Sequence, residues 1–205
     1  MGRNTAFALA ATLALATTAT AATWEIDAAH STVAFSVRHM MISNVTGKFK
    51  DFSGTIDYDG KDASKATVEV NIFANSIDTG VEKRDGHLKS GDFFDAEKFP
   101  TMTFKSTKVE PTGEKTAKIT GDFTLHGVTK PVTIEAEMLG AISDSKMGNR
   151  AGFSGHTTIN RKEFGLAWNK VIEAGGVAVG EEVKVTLELE VGEKKADAGK
   201  GAKGK

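Results

Sequence analysis

Five histidines, His30, His39, His87, His126 and His156, are the side chains best suited to ligate a metal or act as a general base near neutral pH. Metal sites recur as H-x-H, H-x-x-x-H or H-E-x-x-H, because such spacings aim two ring nitrogens at one ion. None of these spacings occurs, and the chain has no cysteine to offer a thiolate ligand or a thiol nucleophile. No metal site is expected. A nucleophilic serine needs a base, an orienting acid and a sharp strand-to-helix elbow. The nearest approach to G-x-S-x-G, Gly152-Phe153-Ser154-Gly155, lies inside a run that reads as a strand. Gly60 and Gly175-Gly176 lack the patterns that cradle phosphates. Nothing here asks for catalysis, no cofactor is implied, and the chain reads as a non-enzyme.

The elements that position these residues are strands. Between Trp24 and Val191 the dominant signal is period-two alternation, the mark of strands with one buried face. The inner set begins with Val33, Phe35 and Val37, and a second run over residues 45–58 is rich in glycine and aromatics. Val68, Val70 and Ile72 follow, then Met102 and Phe104, then Ile119, Phe123 and Leu125. Val132, Ile134 and Met138 make the sixth run, Phe153 and Ile159 the seventh, and Val185, Leu187 and Leu189 the eighth. Apolar-in, polar-out alternation argues for antiparallel strands around one core, since strands buried on both faces would be apolar throughout. The expectation is an all-β fold, an eight-stranded antiparallel barrel.

If the strands run up and down in order, turn-like links (59–64, 111–114, 143–149) gather at one end. The other end receives 41–44, 126–129 and two long segments, 78–100 and 162–180, which hold whatever short helices exist. A closed floor and a lidded mouth follow, with ligand entering at the mouth. By strand phase His39 and Arg161 point inward there. They either grip a polar head group or serve as a rim histidine and a structural ion-pair partner. A small barrel fills its interior with side chains or holds one ligand. Gly54, Gly121 and Gly155, all in the inner phase, leave room for a ligand or relieve the bend of a closing barrel.

Charge and composition narrow the partners. The formal net charge is −1, with no basic footprint for nucleic acid. Arg3, an uncharged Ala/Leu-rich run over residues 5–16 and an Ala19-x-Ala21 site have the layout of a secretory signal peptide over residues 1–22, cleaved near Ala21/Ala22. That layout implies a periplasmic or secreted protein. One barrel domain over 23–192 follows, then a Lys/Gly-rich tail over 193–205 that reads as disordered and leaves open a transient contact with a membrane surface.

Several segments together resemble one family, the YceI-like proteins. They are VAFSVRHM from Val33, V-x-G-x-F at Val45, Gly47 and Phe49, RDGHLKSGDFFD from Arg84, GDFTLHGVTKPV from Gly121, and INRKEFGLAW from Ile159. The resemblance implies a lipocalin-like barrel with a short helical insertion between strands 3 and 4, and an apolar tunnel for a polyprenyl lipid, an isoprenoid quinone or a similar amphiphile. It implies storage or transport with no reaction. In that frame Leu88, Phe93 and Phe94 form the apolar side of a lid, and Arg84 joins His39 and Arg161 near the head group. Two rival readings stay open: a non-catalytic structural or stress protein, with a side-chain-filled barrel or a homodimer through outer apolar residues, and an enzyme acting on a lipid or quinone with His39 as base.

Overall fold

The computed structural model describes residues 22–59, 61–172 and 176–194. The expected signal segment up to Ala21 and the expected tail from Lys195 lie outside the described residues.

Every strand pair is antiparallel, and the sheet closes on itself. The order of the chain is β1 (Ala22–Ile26), β2 (Thr32–His39), β3 (Ser43–Phe49), β4 (Phe52–Tyr58), β5 (Thr67–Phe73), β6 (Ile77–Asp78), helix α1 (Glu82–Lys89), β7 (Thr101–Pro111), β8 (Thr116–Leu125), β9 (Val128–Asp144), β10 (Gly148–Asn160) and β11 (Val179–Glu193). β1 pairs with β4 on one side and β11 on the other, which joins the two ends of the meander. β1 and β2 are one long strand bent at a 3-10 turn (Ala28–His30), and β3 and β4 are another, interrupted at Lys50 and Asp51. Counted this way, eight strands form a closed barrel, as the alternation predicts; β6 is a two-residue addition alongside β3.

The interruption at Lys50 and Asp51 changes the phase. Phe49 pairs with inward Val33, whereas Phe52, Gly54 and Ile56 pair with Ile72, Val70 and Val68. One extra residue in a strand moves the inner face from odd to even positions. β11 also runs one residue further than expected: Gly192 pairs with Glu25, and Glu193, read as tail from sequence, pairs with Trp24. The short alternation Trp24-Glu25-Ile26 supplies the missing partner for those polar residues' backbone.

The connections sort as predicted. At the mouth, His126 (φ 52°) and Gly127 (φ 74°) make a two-residue turn between β8 and β9 in the left-handed conformation such hairpins require. A Cβ at Gly127 would also sit 2.6 Å from the Phe99 ring. α1 occupies the long connection between β5 and β7, where the insertion was expected, and the 3-10 turn Arg161–Phe164 opens the connection between β10 and β11.

Candidate functional site

The registers place all nineteen expected lining residues on one face. Val33 opposes Leu187, Phe35 opposes Val185, and Phe153 opposes both Leu189 and Met138. Ile134 opposes Ile119, Phe123 opposes Phe104, and Met102 opposes Ile72. Residues directly opposite across an antiparallel pair share a face, so these pairings carry the inner set around the barrel.

Their burial is uneven. Val33, Ile72, Met102, Phe104 and Leu125 are buried, and the mouth segments add Ile77, Phe93, Phe164 and Leu166. Ile119, Ile134, Met138, Phe153, Val185, Leu187 and Leu189 face inward yet are only half-buried. An inward side chain in a closed barrel retains accessible surface only where it borders a space large enough for water. Ala117, Ala136 and Gly155 lie side by side on β8, β9 and β10, so this rung projects little into the barrel, and the Ile134 and Leu187 side chains lean over Gly155, 3.2 and 3.5 Å from where its Cβ would stand.

The mouth is filled from its two long connections. Phe93, His87 and Trp168 form a three-ring contact with centroids 4.9–5.2 Å apart, joining the α1 connection to the β10–β11 connection. Phe94 meets Phe49 edge-on at 5.7 Å, Phe164 meets Phe123 at 5.5 Å, and Leu88 packs on the same buried cluster. Leu88, Phe93 and Phe94 therefore turn apolar surface toward the packed mouth. The barrel is most densely packed at the end where ligand was expected to enter.

Two of the three polar residues assigned to the head group hold backbone instead. Arg161 is buried and donates Nε and Nη2 to the carbonyls of Gly180 and Val179 at 2.8 and 3.2 Å, and Nη1 to that of Leu166. It starts a 3-10 turn rather than continuing the strand phase of Ile159, so it faces the connection it ties together. Burial lowers its pKa from the ordinary guanidinium value, with the charge of Glu181 acting the other way. Arg84 donates to the Thr79 hydroxyl and carbonyl at 2.7 and 2.8 Å, while Asp85 accepts from the Thr79 amide and hydroxyl. His39 is half-buried at the far end of β2, opposite Ser43 and Val179.

The other histidines sit apart. His30 lies 3.0 Å from Asp27, His87 2.8 Å from Asp92 and His156 3.1 Å from Glu135, and His126 packs on Phe99. Asp27, His30 and Glu190 could share an ion by geometry. The Arg150 guanidinium already takes that place, donating to Asp27 at 2.8 Å and Glu190 at 2.6 Å. This contact, with His30, holds the Asp27 carboxyl down to about 2. The inner glycines are also not vacant: a Cβ at Gly121 would meet the Phe104 ring at 2.6 Å, and one at Gly54 would meet Ile26 at 2.8 Å. They admit neighbouring side chains to the wall.

Sequence reasoning passed over Phe49, Phe52, Phe164, Leu166 and Val191, all buried. Phe164, Leu166 and Trp168 stand in the FGLAW stretch, an alternation with a clear apolar phase that falls in a connection. Phe49 and Phe52 were hidden by the phase change between them.

The chain matches known proteins along most of its length. The family profile described as the YceI-like domain matches residues 24–191. A UPF0312 protein of Pseudomonas paraeruginosa is 45% identical over 163 residues, 78% of this chain and 85% of that protein. The crystal structure of a Campylobacter jejuni YCEI protein superposes with a TM-score of 0.68 at 34% identity, covering 77% of this chain and 90% of the other. A polyisoprenoid binding domain from Saccharophagus degradans shares the fold, with a TM-score of 0.62 at 18% identity over 83% of this chain and 98% of that one.

Proposed function

The chain belongs to the YceI-like family, and from that premise we propose that it is an exported lipid-binding protein that holds a long isoprenoid in its barrel, for storage or transport, without a reaction of its own. The observation that carries this is the inner face: predominantly apolar, packed at the mouth and partly uncovered around Ile134, Val185 and Leu187. The Saccharophagus domain, described as polyisoprenoid binding, supports the same class of ligand on the same fold.

Affinity in such a cavity comes from methylenes, at about 0.8 kcal/mol each. A prenyl chain of some forty carbons would nominally exceed the practical ceiling of roughly 20 kcal/mol, so chain ordering and association costs cancel much of the gain. Chain length and apolar contact then govern binding, with the head group a secondary discriminator. Native mass spectrometry of the mature protein from its own periplasm, followed by organic extraction, tests this directly. A stoichiometric prenyl lipid or quinone is expected; protein that is always empty and refuses added prenyl lipid overturns it. Phe123→Glu or Leu187→Glu should abolish lipid binding while the circular dichroism of the barrel persists.

The Arg3 and Ala19-x-Ala21 layout supports export, which N-terminal sequencing of the periplasmic protein would establish. Loading from a bilayer also has a physical basis. The β2–β3 tip carries Met40, Met41 and Ile42, the last 81% exposed, and Val171, 87% exposed, lies in the neighbouring connection at the same end. Co-flotation with vesicles, lost in Ile42→Asp, is the expected result; concentration-dependent dimers without flotation would assign the tip to a second copy.

A further inference from the structure

The barrel wall is breached at one seam. The β9–β10 ladder stops at the His156–Glu135 pair, although β9 continues back to Val128 and β10 on to Asn160. Each strand keeps its partner on the other side over this stretch, β8 for β9 and β11 for β10. Between them lies a recess of about 350 Å³, crossed by the Thr157 hydroxyl, which donates to the Thr133 carbonyl at 2.8 Å. Val132, Thr157 and Ile159 line it from the inner phase, and Pro131, Thr133 and Thr158 from the outer phase. Residues of both phases border one space only where the sheet has parted.

The recess has two kinds of surface. On its inner side Val132 and Ile159 pack on the buried cluster that includes Phe164, so the recess borders the apolar interior of the barrel. Its rim carries hydroxyls and one ion pair, Lys130 Nζ to Glu163 Oε2 at 3.5 Å, with both side chains well exposed. A long, solvated pair of this kind contributes little, so Lys130 can exchange Glu163 for another anion at small cost. A threonine-lined opening with an exchangeable ammonium suits the phosphate or carboxylate end of an amphiphile.

We infer that the β9–β10 breach seats the ligand's anionic head group, on Lys130, while its prenyl chain lies in the barrel. This rests on the lipid-binding reading. The test compares a long-chain prenyl monophosphate with the uncharged prenol of equal length on delipidated mature protein. Lys130→Ala should weaken phosphate binding roughly tenfold and shift prenol binding less than about threefold. Glu163→Gln, which removes the competing carboxylate, should strengthen phosphate binding roughly threefold and leave prenol unchanged. Wild-type affinity for the phosphate in both variants, or an equal loss of both ligands, overturns the head-group seat while leaving lipid binding in place. Wild-type protein that binds neither ligand overturns the lipid reading, and the seat with it.

Discussion

At the mouth, Ile77, Phe164 and Leu166 descend from the connections and are 2–4% exposed. Further down the same barrel Ile134, Val185 and Leu187, equally apolar and equally inward, keep surface uncovered. The two regions are built from the same residue types and differ in what stands opposite them. The mouth has two inserted connections to fill it, and the middle has Ala117, Ala136 and Gly155. Alternation alone sets which way a side chain points. Whether that side chain finds a partner is decided by chain far away in sequence, and this divides a barrel into a packed end and a hollow.

The sharpest test of that division is Phe164→Ala. The ring is buried against Phe123 and the cluster around Met102 and Leu125, so its removal should cost about 3–5 kcal/mol, read as a shift in urea midpoint with unchanged slope. A loss below about 1 kcal/mol would mean the mouth is not packed as a core. Arg161→Ala attacks the same end by a different force. It removes a donor from three carbonyls, of which that of Val179 also accepts from Asn169 Nδ2 at 2.7 Å, and about 2–4 kcal/mol of stability should go with the loss. Arg161→Lys, with one compact donor in place of a fork, should recover only part.

These two residues also show how far the sequence could be read. The eight-strand barrel and the inner phase of most strands follow from alternation, and the helical insertion after the third strand from the resemblance to the YceI-like proteins. Arg161 was assigned inward by counting on from Ile159, and that count fails because the strand ends at Asn160 and a 3-10 turn begins. Arg84 looked available because a sequence shows a guanidinium but not the Thr79 backbone five residues upstream that engages it. The breach at β9–β10 is equally silent: Val132, Thr133, Thr157 and Thr158 read as ordinary strand, and pairing across 20 or more residues leaves no local mark.

Away from the mouth, stability should carry a pH signature. Arg150 clamps Asp27, at the bend between β1 and β2, to Glu190 of β11. The Asp27 pKa is lowered from 3.8 to about 2, so the folded state binds this proton less tightly than the unfolded chain. The stabilisation is complete above the unfolded value near 3.8 and is lost as pH falls through about 2. The carboxylate still touches solvent, which limits the effect to about 1–2 kcal/mol. Asp27→Asn should lose that amount at pH 7, and its urea midpoint should fall less than that of the wild type between pH 4 and pH 2. Parallel curves for the two proteins would show that the clamp does not stabilise the fold.

The smallest stability change should come with one of the clearest functional ones, in the hollow itself. Ala136 points inward between Ala117 and Gly155 and is half-buried. Enlarging a residue in a packed core forces neighbours off their rotamers and costs about 1–3 kcal/mol; Ala74, 1% exposed at the mouth, should behave that way when replaced by leucine. Ala136 still keeps accessible surface, so the urea midpoint of Ala136→Leu should stay within about 0.5 kcal/mol of the wild type. The added methyls occupy volume that a prenyl chain would take, so the longest chain bound should shorten. If Ala136→Leu is as destabilising as Ala74→Leu, the middle of the barrel is packed after all, and the contrast between its two regions disappears.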